Sequence, residues 1–198
     1  MIKRLFDIIF AATGLLLLFP IFIVIAIIIK TDSRGPVFYR QKRVGKNGVE
    51  FFIWKFRTMY TDSDKKGLLT VGGKDPRITR AGYHLRKYKM DELPQLFNVL
   101  TGEMSLVGPR PEVKKYTDLY DPLQRQVLSV RPGITDRASI KYSKENEILA
   151  QYEDPEKAYV EKVMPEKLEL NLQYVKEQSF RKDVIILWKT IQKIFTGH

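Results

Sequence analysis

The chain has 198 residues, 44% of them hydrophobic, and a formal net charge of +11, which gives room for one domain with a substantial core and too little for a second. It has no cysteine, which excludes disulfides and thiolate zinc sites, and its two histidines, His84 and His198, are far apart in sequence, so a histidine-based metal centre would need carboxylates as its other ligands. The positive charge is concentrated: residues 30–115 hold 19 Lys/Arg against 9 Asp/Glu, whereas 116–198 hold 13 of each, a field suited to a phosphorylated substrate, an anionic membrane surface or a polyanion.

From Ile8 to Ile29 there is no charged residue. At about 1.5 Å per residue, a helix over this run is about 33 Å long, close to the hydrocarbon thickness of a bilayer. A straight span is the simplest reading, but Lys3 and Arg4 precede the run and Lys30, Arg34, Arg40, Lys42 and Arg43 follow it, so both flanks favour the cytoplasmic side. Pro20 removes a helical hydrogen bond and clashes with the preceding turn. The expectation is a re-entrant helix over residues 1–30, broken near Pro20, that enters and leaves one leaflet. The apolar run is too long for a secretory signal, and no small-x-small cleavage pattern follows it. Asp7 is expected at headgroup level, paired on one helix face with Lys3 and Arg4.

Two β-rich runs, 37–43 and 50–57, flank Asn47-Gly48, a strong hairpin signal. Their aromatic residues alternate with Arg40, Lys42, Lys55 and Arg57, so one face can pack while the other presents cations. A single-stranded nucleic-acid reader also mixes aromatic and basic residues in this way, but the apolar N-terminal run argues against nucleic acid as a partner. Residues 58–80, with Gly67, Gly72 and Gly73, read as a polar loop. Two short helices, 81–90 and 93–101, then meet at Asp91-Glu92. A loop, "TGEMSLVGPRP", leads into a helix predicted near 112–130, "RPGIT" at 131–135 is a turn, and helices resume across 154–177. From Phe180 to Phe195, apolar residues recur at helical spacing among lysines and arginines, fitting either an interfacial helix with Trp188 near the headgroups or a core-packing one. The fold class is α+β: predominantly helical with a small β-hairpin, an N-terminal re-entrant membrane helix and interfacial amphipathic helices.

Asp91 and Glu92 have a purely structural reading as helix-capping residues ahead of Pro94. They also stand in a cluster with Arg86, Lys87 and Lys89, beside an anchor that holds them near lipid. Two carboxylates among cations can hold Mg²⁺ through oxygen while Arg and Lys hold phosphate oxygens. Alternatively, one carboxylate can attack phosphorus directly, since an ionised Asp needs no general base.

The stretch "LRKYKMDELPQLFNVLTGEMSLVGPRP", together with "GPVFYRQKRVGKNG", "FRTM", "DPRITRAG" and "RPGIT" in the same order, resembles the bacterial sugar transferases, small monotopic phosphoglycosyl transferases. The resemblance covers roughly residues 1–135. It implies transfer of a sugar-1-phosphate from a UDP-sugar to a polyprenol phosphate such as undecaprenyl phosphate, with release of UMP, by a ping-pong route. Asp91 matches the nucleophile that forms a covalent phosphosugar intermediate, and Glu92 its acidic partner associated with Mg²⁺, so both are candidate metal ligands. Arg86 matches a phosphate clamp, Pro109, Arg110 and Pro111 a nucleotide-binding motif, and Arg131 the arginine of the "RPG" turn. Lys55 and Arg57 are proposed phosphate contacts, against a bland reading as a solvated strand face.

The resemblance further implies that residues 31–198 form a membrane-associated catalytic domain on the cytoplasmic face of the bacterial inner membrane. Its partners are a UDP-sugar, a polyprenol phosphate and membrane lipid; nucleic acid is not expected, and a homo-oligomer is compatible with the reading. The chain reads as the minimal catalytic form, without the multi-span N-terminal domain of some relatives. Two departures stand out. Phe19 precedes Pro20 where relatives often have serine, and "DRASIKYSKENE" follows the "RPGIT" turn, so that Asp136, Arg137 and Ser139 are expected to border the donor pocket. The competing function is a non-catalytic membrane-surface scaffold that binds anionic lipid through the basic half.

Overall fold

A computed structural model describes residues 2–63 and 75–196, apart from the Phe195 side chain. Residues 64–74 of the predicted polar loop, with Gly67, Gly72 and Gly73, lie outside the described residues, as does His198.

The apolar run forms α1 (Ile2–Asp32), a single helical element with Pro20 inside it, long and apolar enough to cross a membrane. Its two ends are tied to the same folded body. At the N-terminal end Lys3 donates to Val107 O (2.9 Å) and pairs with Asp183, and Arg4 donates to Val99 O (2.6 Å) and Leu100 O (3.0 Å). Asp7 is buried and accepts the Leu106 N–H at 3.1 Å. Asp7 therefore faces the protein rather than forming the predicted local pairs with Lys3 and Arg4. At the C-terminal end Asp32 accepts Ala81 N at 3.0 Å. Between them Leu16, Leu17 and Phe19 are the exposed crest.

The predicted hairpin is β1 (Phe38–Val44) antiparallel to β2 (Glu50–Phe56). Asn47 (φ 56°) and Gly48 (φ 78°) are both left-handed, and Val49 N donates to Lys46 O at 3.2 Å; this is the type I′ turn that matches strand twist. Phe51 and Ile53 point into the core, and the two-residue period of a strand puts Lys55 on that same inner face. On the other face Arg40 lies over the rings of Phe52 (5.6 Å) and Trp54 (5.2 Å).

After β2 the chain enters α2 (Arg80–Lys87), which is docked tightly: a Cβ on Gly82 would lie 2.0 Å from Thr58 O. A 3-10 turn, Met90–Glu92, follows and leads to α3 (Gln95–Thr101). Asn98 of α3 accepts Trp54 N (3.0 Å) and donates to Phe52 O (2.8 Å), so one carboxamide satisfies a backbone edge of β2 that would otherwise be bare.

Two segments expected to be loop and turn pair as strands. β3 (Ser105–Val107) runs parallel to β4 (Gly133–Thr135), three residues each and too short to leave a periodic signal. The helix predicted near 112–130 is instead one turn, α4 (Lys114–Thr117), and a 3-10 stretch, Gln124–Ser129. Pro122 lies between them, with no N–H to continue a helix and a ring that disfavours the helical conformation at Asp121. Next come α5 (Arg137–Lys141) and α6 (Glu145–Leu149). The predicted 154–177 helix is α7 (Pro155–Ala158), a π-helical turn Tyr159–Val163 and α8 (Met164–Glu177), followed by α9 (Phe180–Thr196). The π turn falls just ahead of Pro165, whose missing N–H interrupts the regular ladder.

Among the described residues, three buried clusters hold these elements. One joins Phe22, Ile25 and Ile29 of α1 to Phe56 and Leu85. A central one joins Ala11, Phe51, Ile53, Val99, Val107, Tyr174 and Ile186. The third, including Val113, Tyr116, Tyr159 and Leu168, belongs to the C-terminal half.

Candidate active site

The site is built where β2, the α2–α3 junction and the segment after β3 converge. Lys89 reverses the chain at the end of α2 in a left-handed conformation (φ 56°), which costs on the order of 1 kcal/mol for a non-glycine residue. That reversal sets Asp91 and Glu92 on a helical turn that passes through Leu93 and Pro94 into α3. Lys55 reaches the same place from the inner face of β2. Arg110 reaches it from the loop after β3.

The two carboxylates have opposite environments. Glu92 is clamped: Arg110 donates through both terminal nitrogens, Nη2 to Oε1 and Nη1 to Oε2 (3.0 Å), and Lys55 Nζ lies 3.1 Å from Oε1. Burial alone pushes Glu92 up, but the combined pull of Arg110, Lys55 and Lys89 holds it well below the usual carboxylate range. In return Glu92 raises the Arg110 guanidinium, and burial pushes Lys55 down. Asp91 is 7% exposed, and its Oδ1 has no hydrogen-bond partner among the described residues. Burial, then the charge of Glu92, pushes Asp91 up against the pull of Lys55, Arg86 and Lys89.

A buried carboxylate oxygen without a partner is costly unless something else occupies its lone pairs. Among the described residues no group of three or more His, Cys, Asp or Glu side chains gathers to hold a metal ion. The unpartnered Asp91 Oδ1, with Glu92 beside it, fits the manner in which Mg²⁺ is held by one or two carboxylates, with substrate phosphates and water completing the shell.

The structure brings together Asp91, Glu92, Lys55, Arg86 and Arg110. Pro109 and Pro111 are buried and hold the loop that carries Arg110; Pro111 O accepts from Arg43 Nη1 at 3.2 Å. The same loop lines a shallow cleft with Gly45, Tyr120, Val130 and Pro132, so Arg110 borders both the cleft and the carboxylate pair. Two predicted residues make their contacts elsewhere. Arg57 is 5% exposed and donates to Arg34 O (2.6 Å) and Ser33 O (2.8 Å), stapling the end of α1 to the end of β2. Arg131 donates from Nε to Gly102 O at 2.8 Å, behind α3. Asp136, expected at the border of a pocket, is fully buried and bonds the backbone of the Arg110 loop. Arg43 and Glu112, which brace that loop together with Tyr159, carried no signal in the sequence beyond their charge.

The sequence model for the family described as bacterial sugar transferase matches residues 1–197. The UDP-N-acetylgalactosamine-undecaprenyl-phosphate N-acetylgalactosaminephosphotransferase of Aeromonas hydrophila is 39% identical over 99% of this chain and 44% of its own length. The UDP-glucose:undecaprenyl-phosphate glucose-1-phosphate transferase of Escherichia coli (strain K12) is 37% identical over 100% of this chain and 41% of its own length. This chain thus spans less than half the length of these two relatives. The exopolysaccharide production protein ExoY of Rhizobium meliloti (strain 1021) is 36% identical over 98% of this chain and 85% of its own length.

Proposed function

Because the chain belongs to the bacterial sugar transferase family, we propose that it transfers a sugar-1-phosphate from a UDP-sugar to undecaprenyl phosphate and releases UMP. The observation that carries this reading is the split character of the carboxylate pair: Glu92 is neutralised by Arg110 and Lys55, while Asp91, next to it, keeps a buried oxygen free. In the proposed reaction an Asp91 carboxylate oxygen attacks the phosphorus that bears the sugar. The bond from that phosphorus to the bridging oxygen breaks, and UMP leaves with the electron pair. An oxygen of the lipid phosphate then attacks the phosphosugar-aspartate, which frees Asp91 and forms a polyprenol diphosphate sugar.

Glu92 positions Arg110 and Lys55 so that their charges face the transferred group without collapsing onto Asp91. Arg86 supplies a further cation whose charge acts on Asp91. Asp91 and Glu92 would hold Mg²⁺, which when bound neutralises charge developing on the leaving phosphate. In this reading the Pro109-Arg110-Pro111 loop contacts the nucleotide, with Arg110 standing beside the carboxylate pair. The two longer relatives carry different sugars in their names.

A re-entrant, monotopic placement in the cytoplasmic membrane is supported by the tethers of α1. A helix that crossed about 30 Å of hydrocarbon would put its ends on opposite sides of the membrane, yet Lys3 and Asp32 both bond to one folded body. The absence of native cysteine makes a direct test simple. In sealed inside-out vesicles, single cysteines placed at Ile2 and at Ser33 are expected to react equally with an impermeant maleimide; protection of only one would establish a through-span.

The reaction class is tested by UMP release from a panel of UDP-sugars with purified protein, undecaprenyl phosphate and Mg²⁺. Lipid-dependent turnover with at least one donor is expected. Salt-sensitive binding to anionic vesicles, with no nucleotide product from any donor, would instead favour a lipid-binding scaffold.

A further inference from the structure

Pro109-Arg110-Pro111 has a single backbone N–H, that of Arg110, because proline nitrogen carries none. That N–H is donated to Asp136 Oδ2 at 2.8 Å. The other carboxylate oxygen, Oδ1, accepts the Ser139 N–H as the N-cap of α5. Asp136 is 0% exposed, so both bonds are made away from water, where losing either leaves a buried N–H unsatisfied.

The loop is anchored up to Pro109 by β4: Gly108 N donates to Thr135 O (3.1 Å) and Gly133 N to Pro109 O (3.0 Å). Gly108 and Gly133 pack so closely that a Cβ on Gly133 would lie 2.1 Å from Gly108 N. Asp136 carries this anchoring one residue further, to the arginine whose guanidinium grips both oxygens of Glu92. A chain of contacts therefore runs from the cap of α5, through the backbone of Arg110 and then its side chain, to the carboxylate beside Asp91.

We propose that Asp136 is a positioning residue: its two oxygens lock the Arg110 loop to α5 and so hold the Arg110 guanidinium against Glu92. The catalytic consequence rests on the transferase reading above, whereas the positioning itself concerns only Asp136, Arg110 and Glu92. Asparagine separates the two bonds. It caps helices as well as aspartate does, but its one carbonyl oxygen cannot serve both N–H groups, and its NH₂ must face one of them.

The experiment is a pair of cycles on the full chain. At saturating donor, Asp136→Asn is expected to slow UMP release roughly 10- to 100-fold, the scale of a misplacement of about 1 Å in a catalytic group. In an Arg110→Ala background the same change is expected to act within about twofold. In the second cycle, the fall in Tm caused by Glu92→Gln is expected to shrink by at least half in the Asp136→Asn background, because Arg110 is no longer held where Glu92 can use it. Equal losses of rate in both Arg110 backgrounds, or an unchanged Tm effect of Glu92→Gln, would reduce Asp136 to a local helix cap and overturn the proposal. If wild type releases no UMP from any donor, the transferase reading fails and the Tm cycle alone decides the positioning claim. Should Asp136→Asn not fold, Asp136→Ser, another N-cap with one oxygen, takes its place in both cycles.

Discussion

Asp91→Asn is expected to abolish UMP release, by about a thousandfold or more, and at the same time to raise the thermal stability of the protein. The first effect follows from loss of the attacking oxygen's charge. The second follows from the environment of Asp91: burial and the neighbouring charge of Glu92 outweigh its attraction to Lys55, Arg86 and Lys89, so the ionised form is disfavoured where it stands. Asparagine keeps the shape and removes the charge. A gain on the order of 1–2 kcal/mol, or a Tm rise of about 2–8 °C, is expected at neutral pH by thermal unfolding with and without the substitution. The sign with pH is fixed by linkage. A carboxylate raised above its unfolded value contributes stability that is full below that value and is lost as pH rises through the folded one. The Asp91→Asn stability gain should therefore shrink on acidification.

Glu92→Gln is expected to act in the opposite direction on stability. Glu92 carries contacts from Arg110 and Lys55, both partly buried, and removing its charge leaves two cations without compensation. Losing the anionic partner of such a partly buried cluster costs about 1–3 kcal/mol, or a fall in Tm of roughly 2–10 °C. Here the pH sign reverses. Glu92 is depressed below its unfolded value, so its contribution is full above the unfolded value and lost as pH falls through the folded one. Adjacent carboxylates with opposite effects on stability are the thermodynamic signature of one poised to react and one holding its surroundings in place. Equal destabilisation by both substitutions, measured in the same buffer, would contradict that division of roles.

Much of this arrangement was legible in the sequence, for physical reasons that differ from place to place. The hairpin could be read because Asn47-Gly48 is chemically suited to a left-handed pair and its flanks alternate. The carboxylate pair stood out because two acids in a basic stretch are conspicuous, and the ordered motifs around it gave it a family. What escaped was whatever depends on contacts between distant segments. β3 and β4 are three residues each, and their pairing rests on Gly108 meeting Gly133, which no local period encodes. Lys55, read as a phosphate contact against a solvated strand face, lies on the inner face because its register with Phe51 and Ile53 places it there. Arg57, two residues on, looked like its twin and instead staples the carbonyls at the end of α1. The helix predicted near 112–130 does not run through because Pro122 interrupts it. Asp136 was visible only as a departure from the family pattern, and its partner, the one N–H between two prolines, appears only once the loop and α5 are side by side.

The central claim is that Asp91 becomes covalently bonded to phosphorus before the lipid takes part. It is tested most directly by incubating the purified protein with UDP-sugar and Mg²⁺ in the absence of undecaprenyl phosphate, quenching, and measuring released UMP together with the mass of the peptide that contains Asp91. Stoichiometric UMP with a sugar-phosphate adduct on that peptide, discharged on adding the lipid and absent in Asp91→Asn, is the result expected. Turnover that begins only when lipid is present, with no adduct at any time, would contradict the account and point to direct transfer between the two substrates.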